Sequence, residues 1–195
     1  MAQCGYFTKF INLCKIINMN KKILIGVCGS ISAYKTPIVI RRLKEKKWDV
    51  KVIMTESATK FITPLTLETV SKNSVYIDMF EKNRWDMHHI GLSEFAKTFL
   101  IIPATANILG KTANGIADDL LSATIMSFKE KIVFAPAMNY KMWENPIVQE
   151  NVKKLKKHGY YFVGPVKGSL AEGSGWGRLA KIKDIVTFIE KIFDK

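Results

Sequence analysis

A doubly wound, three-layer α/β fold is the class this chain predicts, and three observations predict it. Short apolar runs alternate with helical segments along the whole chain, and strand–helix alternation builds a parallel sheet with helices on both faces. The first run, Ile23 to Cys28, is continuously apolar, as in a strand covered on both sides. Short motifs of small and hydroxyl residues follow several of the runs, at the carboxyl ends of strands where open α/β sheets bind ligands.

The elements follow in order. Ile23 to Cys28 is strand one, Gly29-Ser30-Ile31-Ser32 is its turn, and a helix runs from Ala33 to Lys46. Asp49 to Met54 is strand two. A helix or turn opens at Thr55, and Thr63-Pro64-Leu65-Thr66 caps a helix reaching Ser71. Residues 72–88 read as irregular. A helix near Gly91 to Ala96 leads into strand Thr98 to Ile102, and a helix through Leu109 to Ala113 follows Pro103 to Asn107. Asp118 to Ser127 is helical, Ile132 to Ala135 is a strand, and Pro146 to Lys157 is helical. Tyr160 to Val163 is the last clear strand. Pro165 to Arg178 is Gly-rich and reads as a mobile loop, before a closing helix from Lys183 to Phe193. No internal repeat or interdomain linker interrupts the pattern.

At 195 residues the chain predicts one domain over residues 19–195, large enough to bury a substantial core. Residues 1–18 form a mildly amphipathic extension to which no function is assigned. Lys9 and Lys15 interrupt any signal-peptide core, and Met19-Asn20-Lys21-Lys22 ahead of the first strand looks like a natural start. Cys4, Cys14 and Cys28 have neither metal spacing nor an even disulfide framework, which points to a reducing, cytoplasmic setting. No apolar run is long enough for a membrane span. The net charge of +13 invites a nucleic-acid reading, but the cations are mostly Lys, with Arg at positions 41, 42, 84 and 178 alone. Arg is the usual reader of bases and phosphates. The expectation is a lysine-rich solvated surface with no nucleic-acid partner and no membrane partner, one that attracts anionic small molecules.

The motifs carry the functional reading. Pro136-Ala137-Met138-Asn139-Tyr140-Lys141-Met142-Trp143 follows a buried strand with two thioethers, an indole and an amide. A solvated turn has no use for those apolar groups, whereas a pocket wall does, and the Asn aims one donor and one acceptor at something polar. Gly26 to Ala33 resembles a phosphate-binding βα turn without the full dinucleotide fingerprint, or is an ordinary turn with a Ser cap. Thr55 either caps the next helix or binds phosphate. In Pro103-Ala104-Thr105-Ala106-Asn107, small residues admit a ligand to the backbone, while Thr105 and Asn107 offer polar atoms or helix caps. In Asn114 to Leu121, Asp118 is most simply an N-cap. Met87-His88-His89-Ile90 lacks a third zinc ligand, so no metal is expected. A neutral imidazole suits a general base.

In order and spacing these motifs resemble the flavin-containing cysteine decarboxylase family, from Lys22 to about Ile185. The resemblance also takes in Phe61 to Thr66, His89-Ile90-Gly91-Leu92 and Gly115 to Leu121. It implies FMN as cofactor, in trimers or dodecamers with the flavin between neighbouring subunits. It implies that Gly29, Ser30 and Ile31 line the flavin site, that Thr55 and Ser57 lie near its phosphate, and that Thr63 lies by the flavin. Ala104, Thr105, Ala106 and Asn107 would hold the phosphate–ribityl side, and Ala137 would touch the cofactor. His89 matches the active-site histidine. Asn139 matches the amide that grips the substrate carboxylate, with Met142 and Lys35 beside the substrate. The implied activity is decarboxylation of 4'-phosphopantothenoylcysteine to 4'-phosphopantetheine, in coenzyme A synthesis. A ligase domain joined to the decarboxylase in many bacterial fusion proteins is not in this chain, so that activity is expected to be separate.

One position departs from the pattern. Glu172 stands in Leu170-Ala171-Glu172-Gly173 where the family carries a proton-donating cysteine. Three outcomes stay open: Glu172 donates the proton, its pKa raised in an apolar site; the reaction on this or another cysteinyl substrate stops at the enethiol; or the chain is a non-catalytic FMN-binding subunit. Flavin prenyltransferases share the fold and a similar first turn, but the Pro136 to Trp143 run and the His89 motif favour the decarboxylases.

Overall fold

The computed structural model describes residues 21–80, 88–170 and 173–194. The extension 1–18, Met87 and Glu172 lie outside the described residues. The elements are β1 (Lys22–Val27), a 3-10 turn (Ile31–Lys35), α1 (Thr36–Glu45), β2 (Asp49–Met54), α2 (Glu56–Thr59), α3 (Pro64–Ser71), β3 (Val75–Tyr76), α4 (His88–Ser93), β4 (Thr98–Ala104), α5 (Ala106–Ala113), α6 (Leu120–Ser127), β5 (Lys131–Pro136), α7 (Tyr140–Trp143), α8 (Pro146–Lys157), β6 (Tyr161–Phe162), β7 (Val166–Leu170), β8 (Gly173–Arg178) and α9 (Ile182–Phe193).

Six of the described strands form one sheet in the order β3-β2-β1-β4-β5-β6, and every pairing in it is parallel. The expected three-layer α/β class is what the chain adopts. Alternation along β1 explains its apolar run. Ile23, Ile25 and Val27 enter one core with Val39, Ile40 and Leu43 of α1 and with Ile185 and Ile189 of α9. Leu24 enters the other core with Leu109 of α5, Leu121 of α6 and Leu155 of α8. A strand with helices on both faces has no solvent side to keep polar. Each such fully buried aliphatic side chain stabilises the fold by about 1.5–3 kcal/mol. Trp48 and Phe193 close one edge of the first core, their ring centroids 4.8 Å apart.

The structure corrects several boundaries. The helix expected from Ala33 is a 3-10 turn that becomes α-helical only at Thr36, next to Pro37, whose fixed φ suits a helix start. Irregular 72–88 contains the edge strand β3, too short for a period to register. The helix expected at 91–96 lies earlier, at His88–Ser93. Strand four continues through Pro103 to Ala104. The N-cap of α6 is Asp119 rather than Asp118: its carboxylate accepts from Ser122 N at 2.7 Å, and Ser122 Oγ accepts in return from Asp119 N at 3.1 Å.

The largest difference is in the Gly-rich stretch. Val166–Leu170 and Gly173–Arg178, read as part of a mobile loop, are an antiparallel pair, β7 and β8. Glycine and serine leave no alternating pattern to read. The pair is held from outside: Met138 N donates to Gly177 O at 3.0 Å. A side chain at Gly177, whose φ is +139°, would put its Cβ 2.3 Å from Met138 O.

Candidate active site

The sheet order reverses between β1 and β4, since β2 and β3 lie to one side of β1 and β4, β5 and β6 to the other. Such a switch point opens a crevice at the carboxyl ends of the strands. A cavity of about 920 Å³ occupies it. Of the residues singled out in the sequence, Gly29, Ser30, Thr55, Ser57, Thr105, Ala106, Asn107, Ala137 and Met142 line it. Ala104, the last residue of β4, is fully buried and does not itself line the cavity.

The turns carrying these residues are held by their own polar atoms. Thr55 Oγ1 accepts from Ala58 N at 3.2 Å, and Thr105 Oγ1 accepts from Ile108 N at 3.4 Å. Thr55 Oγ1 also donates to Val27 O at 3.4 Å, and the Thr105 side chain is hydrogen-bonded to Cys28, so in this structure both hydroxyls serve the fold at the cavity wall. Ser30 Oγ donates to Ala137 O at 3.4 Å, tying the first motif to the last across the sheet. Ala137 N in turn donates to Ala104 O at 3.1 Å. Gly29 permits the closest approach: a Cβ there would fall 2.6 Å from Ser57 Cβ and 3.0 Å from Ser57 backbone atoms.

A second cavity of about 760 Å³ adjoins the first and shares Ser30, Met138 and Met142 with it. Ile31, Lys35 and Asn139 lie in this second space. Asn139 caps α7, its Oδ1 accepting from Lys141 N at 2.9 Å. The sulfur-bearing side chains of Met138 and Met142 thus form a common wall of two compartments.

Two predicted residues lie elsewhere. Thr63 caps α3, accepting from Thr66 N at 3.3 Å, and lines neither cavity. His89 lines neither cavity; it sits on α4, its carbonyl accepting from Ser127 Oγ of α6 at 3.4 Å. The Nδ1 of His89 is buried and meets no hydrogen-bond partner among the described residues. Glu172 is outside the described residues.

Sequence reasoning missed Lys111. Its ammonium lies 2.6 Å from Asp118 Oδ1 and 2.7 Å from Asp119 Oδ2, on the wall of the first cavity. Partial burial works against the charge of Lys111, but the hydrogen bonds it donates to Asp118 and Asp119 outweigh it and hold the group above the usual lysine range. Asp118 is held below its usual range, chiefly by its hydrogen bond to Lys111. The signal was available: Asn107 and Lys111 are four apart on α5 and so share one face. Cys28 lies on the same wall, wholly buried, and desolvation pushes its thiol up to about 12.

A flavodoxin-like three-layer sheet with a hydroxyl-lined crevice at its switch point and a thioether wall defines a class of nucleotide-type cofactor binder. The chain belongs to the Flavoprotein family, whose pattern it matches over residues 16–194. Among its relatives is the coenzyme A biosynthesis bifunctional protein CoaBC of Borreliella burgdorferi, 44% identical over 180 residues, covering 92% of this chain and 46% of that protein. The CoaBC protein of Bacillus subtilis is 42% identical and is matched over 43% of its length. The chain therefore spans a little under half of these bifunctional relatives. The "Probable phosphopantothenoylcysteine decarboxylase" of Streptococcus mutans is 43% identical, covering 89% of this chain and 99% of that protein. Among solved structures, a mutant PPC decarboxylase complexed with pantothenoylaminoethenethiol superposes with a TM-score of 0.81 at 28% identity, covering 90% of this chain and all of that one. The FMN-dependent cysteine decarboxylase SpaF gives a TM-score of 0.77 at 33% identity, covering 89% of this chain and 97% of that one. No described helix is long and apolar enough to cross a membrane.

Proposed function

We propose that this chain is an FMN-dependent decarboxylase converting 4'-phosphopantothenoylcysteine to 4'-phosphopantetheine, a cytoplasmic carboxy-lyase of coenzyme A synthesis. The observation that carries the reading is the Pro136–Trp143 segment walling two adjoining cavities. Ser30, Thr55, Thr105 and Asn107 line one, and Asn139 lies in the other.

The residues of the first cavity fit FMN. Hydroxyls and an amide at the strand ends suit a phosphate and a ribityl chain, and Met138 and Met142 suit the face of an aromatic ring. In this reading Gly29, Ser30, Thr55, Ser57, Thr105, Ala106, Asn107 and Ala137 hold the cofactor, with Ala104 behind them and Ile31 in the adjoining cavity, while Thr63 lines neither cavity of its own chain. FMN bound there supplies a two-electron oxidation of the cysteinyl thiol, which makes the carboxylate a leaving group, and a later return of those electrons.

The chain's own groups do the rest. Asn139 orients the carboxylate, which fixes the C–C bond that breaks. Met142 and Lys35 flank the substrate. His89 is the base that accepts the thiol proton. Its absence from both cavities supports an assembly in which His89 serves a site completed by a neighbouring subunit, as in a homotrimer or a dodecamer of trimers. Glu172, in place of a cysteine, returns a proton to the product carbon, which requires a raised carboxyl pKa.

The test is anaerobic turnover of 4'-phosphopantothenoylcysteine by the FMN-loaded protein, with the product weighed by mass spectrometry. A product lighter by CO2 alone is expected. A product lighter by CO2 and two further hydrogens assigns the enethiol as the end point and removes Glu172 from the mechanism. FMN retained with no CO2 released overturns the decarboxylase reading.

A further inference from the structure

The second cavity holds three cations: Lys35, already placed beside the substrate, and Lys141 and Arg178, to which the decarboxylation gives no part. Lys35 reaches it from the end of the 3-10 turn, Lys141 from α7 and Arg178 from the end of β8. No Asp or Glu among the described residues lines this cavity, and none forms an ion pair with any of the three. Lys111 in the neighbouring cavity is different, since two carboxylates neutralise it. Three elements distant in sequence thus converge on one compartment that, among the described residues, holds only positive charge.

Arg178 is the residue most deliberately placed. The antiparallel pair docks on the Asn139 turn through Met138 N and Gly177 O, and the next residue, Arg178, lines the same cavity as Lys141. Its side chain then lies across Gly168 on the facing strand, where a Cβ would meet Arg178 Cδ at 2.9 Å and Nη1 at 3.1 Å. A side chain at position 168 would lift the guanidinium off the ladder. Lys35 and Lys141 lie near aromatic rings, Nζ 5.5 Å from the Tyr34 centroid and 6.0 Å from that of Tyr140. A planar fork flanked by two ammonium groups suits a phosphomonoester dianion, which has three acceptor oxygens and more than one charge to balance. A carboxylate needs less, and Asn139 already stands at the inner side of the same space.

We propose that Arg178, with Lys35 and Lys141, forms the seat that reads the phosphoryl group of the substrate and makes the enzyme select the phosphorylated over the dephosphorylated thiol. The inference rests on the decarboxylase reading above. A phosphomonoester is also part of FMN, so the test separates the two sources.

The FMN-loaded protein is titrated calorimetrically with 4'-phosphopantetheine and with pantetheine, as wild type, Arg178→Gln and Lys141→Gln. FMN affinity is measured separately for each. Wild type is expected to bind the phosphorylated thiol roughly tenfold to a hundredfold tighter, the scale of charge-assisted hydrogen bonds. Arg178→Gln is expected to erase most of that ratio, and Lys141→Gln part of it, with FMN affinity unmoved. Equal binding of the two thiols by wild type, or an unchanged ratio in Arg178→Gln, overturns the seat while leaving the decarboxylase reading standing. Loss of FMN affinity in Arg178→Gln with the thiol ratio intact assigns the cations to the flavin phosphate instead. Binding of neither thiol, together with no CO2 release, sinks the decarboxylase reading and the seat with it.

Discussion

Cys28 shows how a single side chain takes its chemistry from its place. It lies at the end of β1 against Thr105, wholly buried, and desolvation raises its thiol from 9.0 to about 12. The folded chain keeps this proton where the unfolded chain releases it. Stability is therefore fully present below the ordinary thiol value and falls as pH rises from about 9 toward 12. The slope is about 1.4 kcal/mol per unit for one proton. Cys28→Ala should show a shallower alkaline loss of stability than wild type in urea titrations at pH 8 and pH 10, and equal slopes would contradict the assignment. In the native protein, alkylation mapped by mass spectrometry should leave Cys28 unmodified, because the thiolate is the nucleophile and almost none is present. Gly29 is decided by space instead. Gly29→Ala places a methyl 3.0 Å from Ser57 backbone, so the turn must part from α2. The expected result is at least a tenfold loss of FMN affinity, read by fluorescence of the released flavin, with the far-UV spectrum unchanged.

Among the elements, the β7–β8 pair carries the most functional weight. The glycines that make it read as a loop are the same residues that let it fold onto the Asn139 turn. Gly177→Ala adds a Cβ 2.3 Å from Met138 O at a φ of +139°, a conformation that costs on the order of 1–3 kcal/mol for a residue with a side chain. The pair should undock. Limited proteolysis within residues 166–178 should accelerate, and KM for the phosphorylated substrate should rise at least tenfold while FMN stays bound. Unchanged proteolysis would mean that the Met138–Gly177 bond does not hold the pair. The long elements were legible because each has a strong period and clear ends. Asp49–Met54 and Pro146–Lys157 fall where the sequence puts them, the second with Asn145 as cap and Pro146 at its first turn. The two-residue strand Val75–Tyr76 was not legible, since its pairing with β2 is a property of the neighbour rather than of its own residues.

For the whole molecule, His89 and Asn139 are the test. They sit on α4 and at the start of α7, and His89 lines neither cavity of its own chain. If each site is completed by a neighbouring subunit, His89→Asn and Asn139→Asp chains, inactive separately, should regain a measurable fraction of wild-type decarboxylation when co-expressed in one assembly. No recovery in mixed assemblies would place both residues in a site within one chain. The net charge of +13 also belongs to this scale. Most of it is solvated lysine, but the three cations of the second cavity are a local use of that surplus.

By itself the sequence determined the three-layer class, five of the six strands of the sheet, and the strand-end motifs that mark the crevice, because hydrophobic period and turn chemistry are local properties that survive in one dimension. The tertiary structure alone decided that those motifs form two compartments sharing a Met138–Met142 wall, that Lys111 answers both Asp118 and Asp119, and that Arg178 joins Lys35 and Lys141. These are meetings of residues 7 to more than 140 positions apart. Nothing in the local sequence records them, because the sheet and its docked strand pair set the distance between them.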